Sequence, residues 1–162
     1  ARVVSLYTQN QSEVERYFRY VAFSCLVGNG DAHLKNFALL YSADQRAPTL
    51  KLSPMYDVVN TTCYPTHDKS LALKLNKSHV FPDHDGLLRF GRDLKVIRPA
   101  VILEEITDTI SDHLNQPDLW DDLSFLNEAI SAALSKASAR KPVFMTVDVK
   151  RDKKRKTDKL LK

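Results

Sequence analysis

Three oxygen-bearing side chains stand at a spacing that suits transfer of a phosphoryl group. Asp31 and Asn36 fall in the run Gly28-Asn29-Gly30-Asp31-Ala32-His33-Leu34-Lys35-Asn36, and Asp57 follows in Ser53-Pro54-Met55-Tyr56-Asp57. Phosphoryl transfer asks for little covalent chemistry from a protein. It needs a carboxylate to accept or orient the proton of the attacking hydroxyl, and oxygen ligands for Mg²⁺. An aspartate followed by a side-chain amide at D-x-x-x-x-N spacing supplies both from one loop, with Asp31 as the catalytic carboxylate and Asn36 as a metal ligand. Mg²⁺ takes oxygen ligands and keeps several waters, so one further carboxylate, Asp57, completes the protein's share. His33 and Lys35 lie in the same loop, and either could contact the transferring phosphate. D-x-x-x-x-N alone occurs by chance in many loops. The combination of that loop, a preceding amphipathic helix and a later Pro-x-Tyr-Asp is more specific.

These residues need rigid elements on either side. The first clear element is a helix from about Ser12 to Val27. Ser12 and Glu15 fit a capping box, and Val14, Tyr17, Phe18, Val21, Ala22, Cys25 and Leu26 fall on one face. The Gly28-Asn29-Gly30 cluster ends it. Phe37 to Tyr41 and Thr49 to Leu52 read as two short antiparallel strands joined by the turn-rich stretch 42–48. Residues 58–69 look irregular, and Ser70 to Leu75 alternates like another short strand. Asp83 or Asp85 caps a short helix through Leu88 and Phe90. Pro99 opens a helix that runs to about Leu114, with Ile102, Ile106 and Ile110 along one stripe. A last helix is expected from Asp118 to about Ala137, with Leu119, Leu123, Leu126, Ile130 and Leu134 as its stripe and Trp120 as a core or cap residue. The expected fold is therefore mainly α with a small β insertion, and the polar constellation falls in that insertion and its flanking loops.

With the elements in place, two stretches resemble a known family. Val27 to Phe37 and Leu52-Ser53-Pro54-Met55-Tyr56-Asp57-Val58-Val59 look like the signatures of HipA-type serine/threonine kinases, the toxin kinases of bacterial toxin–antitoxin systems. The likeness covers roughly residues 10 to 140. It implies a protein-kinase-like C-terminal lobe, with Asp31 as catalytic aspartate and with Asn36 and Asp57 as ligands of the metal that accompanies ATP. It also implies a serine or threonine of a cytosolic protein, such as an aminoacyl-tRNA synthetase, as acceptor. The implied partner is a small helix-turn-helix antitoxin that holds the complex on operator DNA. Asn29-Gly30-Asp31 in place of His-Arg-Asp, and Val58-Val59 after Asp57, match this family rather than eukaryotic-type kinases.

A kinase also needs a phosphate-cradling loop and a lysine for the nucleotide phosphates. About ten residues precede the first expected helix, and none is glycine; the glycines are Gly28, Gly30, Gly86 and Gly91. The expectation is a chain that lacks the N-terminal nucleotide lobe, which makes that lobe a partner or a missing part. Two other readings stand beside this one. One is a small-molecule phosphotransferase of the aminoglycoside or choline type, against which Val58 speaks. The other is a non-catalytic module that docks on an antitoxin or on the nucleotide lobe.

Bulk composition narrows the class. The chain of 162 residues is 43% hydrophobic and 27% charged, enough for one cored domain. No apolar run reaches the ~20 residues that span a bilayer, and no secretory signal opens the chain, so a cytoplasmic protein with no membrane contact is expected. Cys25 and Cys63 read as two reduced thiols. The net charge of +4 is uneven. Residues 150–162 hold eight Lys or Arg against two Asp, which leaves 1–149 slightly acidic. The expected division is a helical lobe over 1–142 and a basic tail over 143–162, able to contact phosphate backbones of DNA through counterion release. His67, His79 and His84 lack cysteine partners at zinc-finger spacing, so zinc is not expected there.

Overall fold

The computed structural model describes residues 1–42, 49–65 and 69–139. In chain order these form α1 (Arg2–Thr8), α2 (Gln11–Leu26), a 3₁₀ turn (Leu34–Asn36), β1 (Leu39–Tyr41), β2 (Leu50–Leu52), α3 (His84–Asp93), α4 (Pro99–Leu114), a second 3₁₀ turn (Pro117–Leu119) and α5 (Ser124–Ser138). The architecture is mostly helical with a small antiparallel sheet, as the hydrophobic patterning implies. The turn-rich stretch 43–48, His67 and the basic tail with its boundary at 142 lie outside the described residues.

The long helix α2 lies between two apolar clusters. Phe18, Ala22, Cys25 and Leu26 pack with Leu87 of α3, Ile102, Leu103 and Ile110 of α4, and Leu134 and Ala137 of α5. Val14, nearer its N-terminus, packs with Val4 of α1 and Leu52 of β2, flanked by Tyr17, Tyr20 and Leu39. The two-stranded sheet is held in the register Leu39↔Leu52, Leu40↔Lys51, Tyr41↔Leu50. A lone two-stranded ribbon is marginal in water, so its docking on α1 and α2 through Leu39 and Leu52 is what fixes it.

Several local expectations are corrected. A helix, α1, precedes the element expected to come first. Its valines and threonine are poor helix formers, but Val4 is buried against Val14 and Leu52, and Gln9 closes the helix in the left-handed conformation. α2 is capped by Asn10, whose side chain accepts from Ser12 N at 2.9 Å. Glu15 pairs with Arg19 at 3.4 Å instead of closing a box with Ser12. Residues 70–75 form no strand. Leu71 and Ala72 donate to His79 O and Gly30 O, and the single bridge Leu75↔Ser78 closes a tight turn with Asn76 and Lys77 at positive φ.

The last expected helix is broken. Trp120 and Leu123 close successive tight turns, α5 starts only at Ser124, and Leu119 and Leu123 are exposed. The break serves the end of α4, whose last carbonyls have no partner inside the helix. Trp120 Nε1 donates to His113 O at 2.8 Å, and Asn127 Nδ2 donates to Leu114 O at 2.9 Å. The helices from Asp83 and Pro99 stand as expected. Asp83 accepts from Gly86 N, and Pro99 opens α4.

Candidate active site

The loop that carries Asp31 is aimed by the way α2 ends. Asn29 N donates to Ser24 O at 2.8 Å and Gly28 N donates to Cys25 O at 3.3 Å, with Gly28 at φ +75. This is a Schellman cap, in which the left-handed position favours glycine. Gly30 is demanded by space rather than by conformation. A Cβ there would lie 2.5 Å from Ser70 O and 2.6 Å from Thr61 Oγ1. The fully buried Asn29 turns its side chain onto the following chain and accepts from Asp31 N at 3.1 Å.

The segment after Asp57 braces the same loop. Asn60 Nδ2 donates to Val27 O at 2.7 Å, and Thr61 N donates to Gly28 O at 3.0 Å. The Thr61 hydroxyl accepts from Gly30 N at 3.0 Å and donates to Gly28 O at 3.3 Å. The two loops are therefore stitched together below Asp31. Asp31 itself is exposed, at the rim of an open depression of about 640 Å³ that Gly30, Val59, Thr61 and Tyr64 also line.

Asn36 and Asp57 meet directly. Asn36 is buried, and its Oδ1 accepts from His33 N at 2.9 Å. Its Nδ2 donates to Asp57 Oδ2 at 2.7 Å. An N–H on one side and a carboxylate on the other leave the amide one sensible orientation. Asp57 is exposed and sits at φ +56, a left-handed conformation that aspartate tolerates better than most residues. The neighbouring Tyr56 hydroxyl donates to Lys35 O, a second tie between the two loops. The structure thus joins Asn36 to Asp57 and places Asp31 on the same braced loop as Asn36.

His33 and Lys35 are placed differently. His33 contributes its backbone N–H to Asn36, while its Nδ1 is buried without a hydrogen-bond partner. Lys35 is exposed within the 3₁₀ turn, and its backbone carbonyl receives Tyr56.

The donor set suits a hard cation in part. Asp57 keeps one carboxylate oxygen clear of Asn36, and Asn36 Oδ1 retains a second lone pair. Among the described residues no group of three or more His, Cys, Asp or Glu converges. A pair of oxygen ligands without an all-protein cage is how Mg²⁺ is held when substrate phosphates and water complete its shell. Sequence reasoning missed Asn60 and Thr61, whose place as polar residues just after Asp57 was their signal, and gave Asn29 a place in the signature but no role.

Elsewhere, burial pushes the Cys25 thiol up to about 12, and Tyr17 is raised by burial and by its proximity to Cys25. Both cysteines are free thiols. No helix among the described residues is long and apolar enough to cross a membrane.

Comparison with known proteins places the chain in a family. The family model described as "HipA-like C-terminal domain" matches residues 1–116. The chain is similar to the "Putative kinase Y4mE" of Sinorhizobium fredii, 37% identical over 81 residues, which are 49% of this chain and 18% of that protein. It is also similar to the "Putative kinase Y4dM" of the same organism, 39% identical over 77 residues, 48% of this chain and 18% of that protein. A "Putative kinase" of Haemophilus influenzae is 34% identical over 76 residues, 46% of this chain and 21% of that protein. The matched stretch spans about a fifth of the length of these relatives.

Proposed function

The chain belongs to the HipA-like C-terminal domain family, and from that premise we propose that it supplies the catalytic and metal-binding half of an ATP-dependent serine/threonine kinase site. The observation that carries this reading is the 2.7 Å bond between Asn36 and Asp57, residues 21 positions apart, beside a loop that presents an exposed Asp31.

In this reading Asp31 accepts the proton of the attacking hydroxyl. The hydroxyl oxygen bonds to the γ-phosphorus as the bond from that phosphorus to the β–γ bridging oxygen breaks, and ADP leaves. Asn36 and Asp57 hold Mg²⁺, which when bound neutralises charge on the phosphates. Asn29 and Thr61 keep the backbone leading into Asp31 from shifting. Lys35, exposed next to Asn36, is available to contact a phosphate, and His33 orients Asn36 through its backbone.

The nucleotide's own cradle then comes from a separate lobe, in keeping with relatives about five times longer than the matched stretch. A helix-turn-helix antitoxin and a cytosolic protein acceptor belong to the same proposal by family likeness, and a DNA contact through the basic tail belongs to it by the charge of residues 150–162.

The test is phosphotransfer from ATP to a serine- or threonine-bearing protein, measured with the nucleotide lobe supplied. Asp31→Ala is expected to lower the rate about 10²–10⁴-fold, the usual worth of a positioned general base. Wild-type activity in that variant would falsify the assignment.

A further inference from the structure

We propose that Glu13, together with Arg16, is a positioning residue for Asp57: the two side chains stand in for an absent strand along the outer edge of β2 and fix where the chain leaves it. The inference rests on the assignment of Asp57 as a metal ligand.

The strand ladder decides which way Leu52 faces. Ser53 N donates to Ala38 O at 2.8 Å, and Ser42 N donates to Thr49 O at 3.0 Å. In an antiparallel pair, hydrogen-bonded and non-hydrogen-bonded positions alternate. Leu39↔Leu52, one step from Ala38 and Ser53, is therefore a non-bonded position. Both backbone polar groups of Leu52 turn away from β1, toward the side where a third strand would lie.

α2 supplies what that strand would have offered. Glu13 Oε2 accepts from Leu52 N at 2.7 Å. Arg16 Nη1 donates to Leu52 O at 3.3 Å, and the two side chains pair at 3.6 Å. The Glu13 residue is only 8% exposed, next to Val14 in the chain and bonded to Leu52, both members of one apolar cluster. Burying a carboxylate beside apolar groups is costly unless it is paired and hydrogen-bonded, and here it has both a cation and an N–H. Charge-assisted bonds of this kind are the stronger ones.

The path of the chain beyond β2 depends on this anchor. Among the described residues, no backbone–backbone hydrogen bond involves residues 54–60. Leu52, with Ser53 next to it, is thus the last firmly held backbone before the left-handed Asp57.

The experiment titrates Mn²⁺ into the full chain, reading free Mn²⁺ by electron paramagnetic resonance, with amide hydrogen exchange followed in parallel. Wild type is expected to bind in a manner that Asp57→Asn abolishes. Glu13→Ala is expected to weaken binding about 10–100-fold, the range for groups that orient a metal ligand, and to speed exchange across 52–57. Glu13→Gln keeps an acceptor for Leu52 N and restores most of the affinity. Ile110→Val, a core change far from the strand edge, lowers stability and leaves Mn²⁺ affinity unchanged, which separates positioning from general destabilisation. Arg16→Leu, at a side chain 42% exposed, provides a folded variant should Glu13→Ala not fold, with the same loss in smaller measure. Wild-type affinity and wild-type exchange in the folded Glu13 and Arg16 variants overturn the inference. Binding that survives Asp57→Asn overturns the metal-ligand reading instead, and unchanged exchange across 52–57 still overturns the positioning role by itself.

Discussion

Asn36 is pinned between a backbone N–H and a carboxylate, accepting from His33 N at 2.9 Å while donating to Asp57 Oδ2 at 2.7 Å. The amide thus neutralises neither loop but locks one to the other. Replacing it separates two effects. Asn36→Ala leaves the partly buried His33 N–H unpaired and is expected to cost about 1 kcal/mol of stability. Asn36→Asp keeps the acceptor for His33 N but sets two carboxylates face to face, which disfavours ionisation of both. Added Mg²⁺ should return the melting temperature of Asn36→Asp toward wild type and leave Asn36→Ala unmoved. Thermal scans across a Mg²⁺ series measure this, and an Asn36→Asp protein indifferent to Mg²⁺ contradicts it.

Gly30→Ala is predicted to be damaging although its backbone is not left-handed. The new methyl meets the carbonyl of Ser70 and the hydroxyl of Thr61 at 2.5 and 2.6 Å. Ser70 O belongs to backbone and cannot swing aside, so the loop must move. Overpacking of this kind costs about 1–3 kcal/mol, and the displaced Asp31 should lose activity beyond what the stability loss explains. Urea unfolding beside phosphotransfer rates checks both.

Thr61 offers a pair of matched substitutions. Its hydroxyl both accepts from Gly30 N and donates to Gly28 O. Thr61→Val preserves shape and removes both bonds, with an expected loss of about 1–3 kcal/mol for the orphaned groups. Thr61→Ser keeps the hydroxyl and should stay near wild type. Equal stability of the two variants by denaturant titration speaks against the clamp.

The buried thiol of Cys25 predicts an alkaline weakness. Its folded pKa is raised from 9.0 to about 12. Below pH 9 the thiol is protonated in both states and costs nothing. Between pH 9 and 12 the unfolded chain releases a proton that the folded chain keeps, so stability falls as pH rises, by up to about 1.4 kcal/mol per pH unit. Tyr17, raised for the same reason of burial, acts in the same direction at higher pH. Unfolding curves between pH 7 and 11 should steepen their decline above pH 9 in wild type and less so in Cys25→Ala.

Much of the helical frame was legible because its signals are local. The stripe from Val14 to Leu26, the Asp83 cap and Pro99 at a first turn each announce an element within one or two turns of chain. α1 was not legible, because its poor helix formers are held by Val4 reaching Val14 and Leu52, contacts the local pattern does not reveal. The alternation in Ser70 to Leu75 misled for a related reason. Alternation reports which side chains face in, but Ala72 N spends its bond on Gly30 O rather than on a neighbouring strand. Within the site, Asp31, Asn36 and Asp57 stood out by type and spacing. Glu13, Asn60 and Thr61 did not, since each acts largely on a backbone atom, and any residue type can supply one.

The fork of Glu13 and Arg16 on Leu52 also bears on solubility. An unpaired strand edge is a template on which other chains can assemble. Any intruding strand that reaches for Leu52 N on the outer side of β2 finds a carboxylate already bonded there, and must strip that charge from its arginine before it can pair. The same contact that steadies the path toward Asp57 thereby blocks self-association at the Leu52 end of this edge.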